Sequence, residues 1–302
     1  MPRHRVAGLP FGGTASLRRG HGSDVAGSRP YVQGDAISTI DWRASARLST
    51  ARGRREFLVR ERYAEEAPRV VVLADHRPSM GIYAPPFPWL SKPAAVRSAI
   101  ELIVESAGAA NASVAYLDYA GWRTQADEPF WLAPTARGVW QRIESRLDGI
   151  VAYDAPDDAL ERGLEFLPRF RSELSSGTFA FVVSDFLGRP PRDVVWLTAA
   201  ARRWEIVPVV VQDPLWEQSF PVVGPIVLPL LDPGGGEVLE VRLSRRQARA
   251  LRDANARRLV RLFARFQELG LDPVLLDTTE SSEIDRRFLD WAERRSDRRR
   301  RR

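Results

Sequence analysis

Apolar residues along this chain fall into short unbroken runs, separated by stretches in which they recur at helical spacing. Residues 70–74 read Val-Val-Val-Leu-Ala and end in Asp75, the pattern of a strand buried on both faces. Residues 179–183 form a second such run, ending in Ser184-Asp185, and 206–211 a third, ending in Gln212-Asp213. A fourth strand is predicted over 114–119 and a short edge strand over 130–132. Between them, 94–110 carries Ile100, Ile103, Val104 and Ala107 at helix spacing, and 135–147, 157–170 and 192–203 also predict helices. Strands alternating with helices predict βαβ units, hence an α/β fold with a doubly wound, mostly parallel sheet.

The alternation pauses after Asp213. Residues 222–231 and 238–243 flank the turn Asp232-Pro233-Gly234-Gly235-Gly236 and predict a β-hairpin. Ser244 is placed to N-cap a long helix over 245–269 that ends at Gly270, and 274–277 and 282–294 predict a last strand and helix. Residues 1–28, rich in Gly, Ser and Arg, predict loop with partial disorder, followed by one strand-like stretch at 56–60. The chain thus divides into an N-terminal segment (1–68), a core (69–215), a hairpin–helix–strand–helix extension completing the sheet (216–293) and a disordered arginine tail (294–302).

Composition removes several chemistries. With no cysteine there are no disulfides, thiolate zinc sites, iron–sulfur clusters or cysteine nucleophiles, which fits a reducing compartment. No window supplies the ~20 apolar residues of a membrane-spanning helix, and the basic N-terminus lacks the apolar segment of a signal peptide, so a cytoplasmic location is expected. The net charge of +6 is matched by residues 294–302, with seven arginines and one aspartate, so the basicity is assigned to the tail and not to a domain face. Such a run is a solvated extension or a contact for an anionic membrane, nucleic acid or acidic partner; no sequence-specific nucleic-acid motif accompanies it. Lysine occurs once, Lys92, and the arginine bias reads as an effect of codon composition. No Walker A sequence is present. His76 lies between Asp75 and Ser79, but Ser79 follows no nucleophile elbow and groups this close in one loop do not align as a triad.

In open α/β sheets, ligands bind outside the carboxyl ends of the strands. Asp75, Asp185 and Asp213 all sit there, an arrangement suited to a hard cation held by oxygen ligands. The loop Asp75-His76-Arg77-Pro78-Ser79 resembles the metal-ion-dependent adhesion site of von Willebrand factor A domains, whose first loop is Asp-x-Ser-x-Ser. Asp75 and Ser79 match, and Arg77 replaces the middle serine. Asp185 matches the family's second aspartate, and Asp154 stands where its threonine would be. The resemblance implies a metal site of Asp75, Ser79, Asp154 and Asp185 that is either blocked by Arg77, with Asp75 and Asp185 capping loops, or surviving as a magnesium site through Asp154. If Arg77 is the block, Arg77→Ser restores cation affinity.

Upstream, Arg29, Tyr31, Gly34 and Asp35, then Asp41, Trp42, Arg43, Ser45 and Arg47, resemble the signature of the bacterial family called domain of unknown function 58; one departure is Ser38 or Thr39, where an arginine is usual. Those residues suit a buried ion-pair network under Trp42 and Tyr31 or, alternatively, an exposed docking face. The resemblance implies a non-enzymatic interaction or adaptor module with a von Willebrand A-like core, working beside a MoxR-type AAA+ ATPase in a chaperone-like role. Anionic-surface binding through the tail and metal-dependent hydrolysis are the alternatives.

Overall fold

The computed structural model describes residues 15–32, 39–53, 56–65, 69–82, 90–121, 128–135, 137–170, 172–174, 176–201, 203–222, 224–231 and 238–300. The chain forms two compact units, one of Gly12–Pro68 and one of the remainder.

In the smaller unit, β1 (Ala15–Pro30) pairs antiparallel with β2 (Leu58–Glu65), and α1 (Trp42–Arg52) lies between them in sequence. The expectation of loop over 1–28 fails across the described part of that range. Its polar, glycine-broken sequence shows no alternation, yet cross-strand bonding to β2 holds it extended, and its register shifts absorb the extra length. Residues 1–14 lie outside the described residues. Asp41 caps α1 by accepting the Ala44 amide at 3.0 Å, and Gly53 ends it at φ 65°, a left-handed position that glycine occupies without strain.

The larger unit is built on a six-stranded sheet of β3 (Arg69–Ala74), β4 (Ser113–Asp118), β5 (Phe130–Thr135), β6 (Phe179–Ser184), β7 (Glu205–Val211) and β10 (Val274–Leu276). Its order is β10-β7-β6-β3-β4-β5, parallel except for β5 at one edge. This is the doubly wound arrangement. From β3 the chain winds one way to β4 and β5, and from β6 the other way to β7 and β10, so a crevice opens between the carboxyl ends of β3 and β6.

Alternate residues of β3 serve two cores. Val70, Val72 and Ala74 pack with α2 (Lys92–Ala109), α3 (Val139–Asp148) and α7 (Ser281–Arg300), through Ile100, Ile103, Ile143, Phe288 and Trp291. Val71 and Leu73 face α4 (Ala159–Phe166), α5 (Asp193–Ala201) and α6 (Arg245–Glu268), meeting Leu160, Leu164, Trp196 and Phe266. Burial on both faces explains why β3 reads as a continuous apolar run. Gly163 lets α4 approach closely, since a Cβ there would stand 2.6 Å from Leu73.

Four boundaries differ from the sequence pattern. The helix expected over 135–147 starts at Val139, because β5 runs through Thr135 and Gly138 adopts φ 61°. The helix expected over 157–170 stops at Phe166 and continues as a 3-10 turn, Leu167–Phe170. The hairpin β8 (Ile226–Leu231) and β9 (Val238–Leu243) forms its own two-stranded sheet, so only β10 of the C-terminal extension completes the main one. The arginine tail is not disordered where described: α7 continues to Arg300, propagating from the buried face of Ile284, Phe288 and Trp291 through arginines, which are good helix formers. Arg295 stacks over Phe179 at 5.1 Å and Trp291 at 5.6 Å, and pairs with Glu205.

The basic charge is also not confined to the tail. Helix α6 carries eight arginines against Asp253 and Glu268, with most of its length exposed, and the sum over the chain hides it behind acidic residues elsewhere. No helix among the described residues is long and apolar enough to cross a membrane.

Candidate functional site

After β3 the chain turns through Asp75, His76 and Arg77 into the 3-10 turn Pro78–Gly81, and all three residues are buried. Asp75 Oδ1 accepts the Arg77 amide at 2.9 Å, which closes the turn. The Arg77 side chain folds back over the same carboxylate, with Nε 2.9 Å and Nη2 2.7 Å from Oδ2. Ser184, the last residue of β6, donates to Asp75 Oδ2 at 2.6 Å and accepts from Arg77 Nη2 at 3.2 Å. The remaining guanidinium nitrogen reaches the carbonyls of Asp157 at 3.3 Å and Arg189 at 3.4 Å. Burial alone would weaken the charge on Arg77; Asp75 outweighs it, and the guanidinium pKa is raised.

A second cation occupies the other half of the crevice. Lys92, at the start of α2, is fully buried, with Nζ 2.9 Å from Asp185 Oδ2, 2.5 Å from Glu217 Oε1 and 3.0 Å from the Ser79 carbonyl. Asp185 also accepts the Leu187 amide at 3.0 Å and a bond from the Ser79 side chain. Burial pushes the Asp185 carboxyl up, but Lys92 and these bonds overcome it and its pKa is lowered. At Glu217 burial prevails over Lys92 and the pKa is raised. Phe186, next to Asp185, sits at φ 51° and is held there by packing on Phe266 and Trp196.

The other sequence candidates are placed as follows. Asp213 is a loop cap, accepting the amides of Leu90 at 2.9 Å and of Leu215 and Trp216 at 2.8 Å. Asp154 accepts the Gly121 amide at 2.8 Å, beyond β4. His76 bonds its own strand, Nδ1 to the Ala74 carbonyl at 3.3 Å, and stacks on Tyr153. Ser79 makes no bond to His76 among the described residues. A magnesium ion needs several oxygens free to turn toward it. As placed, Asp75 and Asp185 direct theirs at a guanidinium and an ammonium, and no three His, Asp or Glu side chains among the described residues are grouped to hold a metal. The donor set does not fit the ion.

The two carboxylates respond oppositely to acid. Asp185 stabilises the fold above its ordinary pKa, and that contribution is lost as pH falls through the lowered native value. Glu217, raised, resists ionisation in the fold, so stability is gained as pH falls through its native value and the benefit is lost as pH rises. Glu217→Gln is therefore expected to remove a gain in urea stability seen as the pH falls from neutral toward the ordinary glutamate range. An unchanged pH profile in the variant would exclude Glu217 as the source.

A model of the family described as "Protein of unknown function DUF58" matches residues 27–260. The chain belongs to the DUF58 family. No protein of curated function matches it. Among solved structures, this DUF58 chain is similar to conserved hypothetical protein BatB from Bacteroides thetaiotaomicron, at 15% identity and a TM-score of 0.42, over 75% of this chain and 99% of that one. It is also similar to a von Willebrand factor type A protein from Catenulispora acidiphila, at 12% identity and TM-score 0.39, over 78% and 43%. A third is the pilus adhesin SpaC from Lactobacillus rhamnosus GG, at 10% identity and TM-score 0.43, over 76% and 30%. The DUF58 core has the doubly wound, Rossmann-like layout of a mostly parallel sheet flanked by helices.

The signature of the DUF58 chain lies in the smaller unit. Asp41 caps α1 with its carboxylate, and its carbonyl accepts from the Ser45 hydroxyl at 2.6 Å. That hydroxyl in turn accepts the Leu58 amide at 2.8 Å, tying helix to strand. Arg29 donates to the Pro30 carbonyl. Trp42, Arg43 and Arg47 are exposed, so they stand outside any buried ion-pair network; the expected network is corrected in that respect. Trp42 is 59% exposed, and Phe57, at 44%, sits edge-on between it and Tyr31, at 37%. Gly34 and Asp35 lie outside the described residues. Sequence reasoning passed over Lys92, Ser184 and Glu217. A signal existed for the first: it is the sole lysine of a chain otherwise served by arginine.

Proposed function

We propose that this DUF58 protein is a non-enzymatic, metal-independent interaction module that docks a MoxR-type AAA+ ATPase in a chaperone-like role. The reading is carried by the exposed Tyr31–Phe57–Trp42 cluster, together with the exposed Arg43 and Arg47 of α1, since aromatic and arginine side chains left in water are the usual anchors of protein interfaces. Arg77 and Lys92 support its metal independence: they fill the crevice in which Asp75, Ser79, Asp154 and Asp185 would otherwise gather around magnesium, so the site is a degenerate adhesion site.

The test is binding of a purified MoxR-type ATPase of the host to the immobilised protein, nucleotide-free, with and without EDTA. Binding should survive EDTA, and Trp42→Ala should weaken it about thirtyfold, the effect of a ~2 kcal/mol hot spot. No binding in either buffer sinks the partner, and binding lost to EDTA and recovered with magnesium sinks the metal-independent reading.

Polyanion binding is a second reading, moved from the tail to α6. Arg245, Arg246, Arg249 and Arg257 are exposed on that helix and make no ion pair among the described residues. Duplex nucleic acid should then bind with a steep salt dependence that Arg246→Glu with Arg249→Glu abolishes. Cutting the chain at residue 294 is not a clean test, because it removes Arg295 from Phe179 and Trp291.

A further inference from the structure

A cleft of about 280 Å³ opens beside the Asp75 turn, between the first turns of α2 and the end of α3. Its walls are apolar: Pro93, Ala94 and Val96 from α2, with Leu147 and Ile150 opposite. Three polar side chains also line it, and among the described residues none has a hydrogen-bond partner for the group it offers. His76 is 2% exposed, and because its Nδ1 faces the Ala74 carbonyl, which only accepts, the proton of the neutral ring sits on Nδ1. Nε2 is then a lone-pair acceptor with no donor among the described residues. Ser91 stands at the N-cap of α2, but its hydroxyl makes no capping bond. The Tyr153 ring stacks on His76 with centroids 5.5 Å apart, and its hydroxyl is also unpaired.

His76 is buried while Ser91 and Tyr153 are half-buried, and an apolar recess with a few convergent polar groups is how small binding sites are built. Charge narrows the occupant. Asp75 is neutralised by Arg77, and Arg97 at the mouth is held by Glu144 and Asp148, each at 2.6 Å. The cleft therefore selects no ion. It suits a flat apolar body with one N–H or O–H donor and has room for one side chain rather than a whole ligand.

We propose that this cleft receives the side chain of a tryptophan or tyrosine of the partner protein, its ring between Val96, Leu147, Ile150 and Tyr153 and its N–H or O–H donating to His76 Nε2. The inference rests on the interaction reading above and adds the chemistry of the anchor.

The probe is 5-fluoroindole, followed by ¹⁹F NMR on the full chain without any partner, with 5-fluoro-1-methylindole as the analogue lacking a donor. Fluoroindole should bind in the millimolar range usual for a fragment of its size, and the methylated analogue at least fivefold more weakly. His76→Phe, which keeps the stack on Tyr153 but removes Nε2, should abolish that difference. Ile150→Trp should fill the cleft and remove binding, with circular dichroism confirming the fold. Should that variant fail to fold, Leu147→Phe serves in its place. Absence of fluoroindole binding, equal affinity for the two probes, or binding that persists in a folded filled-cleft variant overturns the proposal. Because the probe needs no ATPase, fluoroindole binding without ATPase binding removes the named partner and leaves the cleft. ATPase binding without fluoroindole binding does the reverse.

Discussion

Lys92→Met is expected to cost about 3–5 kcal/mol of folding stability, the usual consequence of removing one partner from a buried ionic group. The magnitude follows from what is left behind. Asp185 and Glu217 would face each other in a site closed to water, with only amides and the Ser79 side chain to receive their charge. Methionine fills the volume of the lysine stem, so little of the loss comes from packing. The deficit should shrink in acid, because without the ammonium both carboxylates take up protons in the native state before they do so unfolded. Adding Asp185→Asn to Lys92→Met should recover part of the loss. Urea denaturation measures all three proteins, and a loss below about 1 kcal/mol at neutral pH would show that the ion pairs are not the support they resemble.

Arg77→Ser alone is expected to leave the protein blind to magnesium, while Arg77→Ser with Lys92→Ser creates a protein whose melting temperature depends on it. The single variant frees Asp75 but leaves the ammonium on Asp185, so a cation would still meet a positive neighbour. In the double variant Asp75, Asp185 and Glu217 are buried without a cation, and binding one becomes part of folding. At magnesium a hundredfold above its dissociation constant the gain is about 2.7 kcal/mol, readily seen as a thermal shift. A magnesium-dependent shift in the single variant would assign the block to Arg77 alone, as the sequence suggested. No shift in the folded double variant would mean that the loops are not built to hold a cation at all.

Most of the sheet was legible because its strands are buried on both faces. Residues of β3, β6 and β7 form apolar runs that no exposed element needs, and the aspartates just beyond them marked the crevice. What the pattern concealed was decided by partners distant in sequence. Strand β1 is polar on both faces and owes its form to β2, so nothing local announces it. The arginines after Trp291 belong to a helix because of the packing that precedes them. At the site, Asp75 and Arg77 are two residues apart and their pairing could be read from the loop. Lys92 meets Asp185 across 93 positions and Glu217 across 125, and only the fold brings them together. Composition held one clue. A chain that uses arginine throughout keeps lysine at the single point where a compact ammonium, rather than a planar fork, fits between two carboxylates and a carbonyl.

That solitary lysine also gives the molecule an unusual chemical silence. The only side-chain amine that an acylating reagent can modify is locked at the carboxyl ends of β3 and β6, paired with carboxylates and shut off from solvent. Acylation of Lys92 therefore requires the crevice to open. Its rate, followed by mass spectrometry on the unaltered protein, counts those openings one molecule at a time without an introduced label.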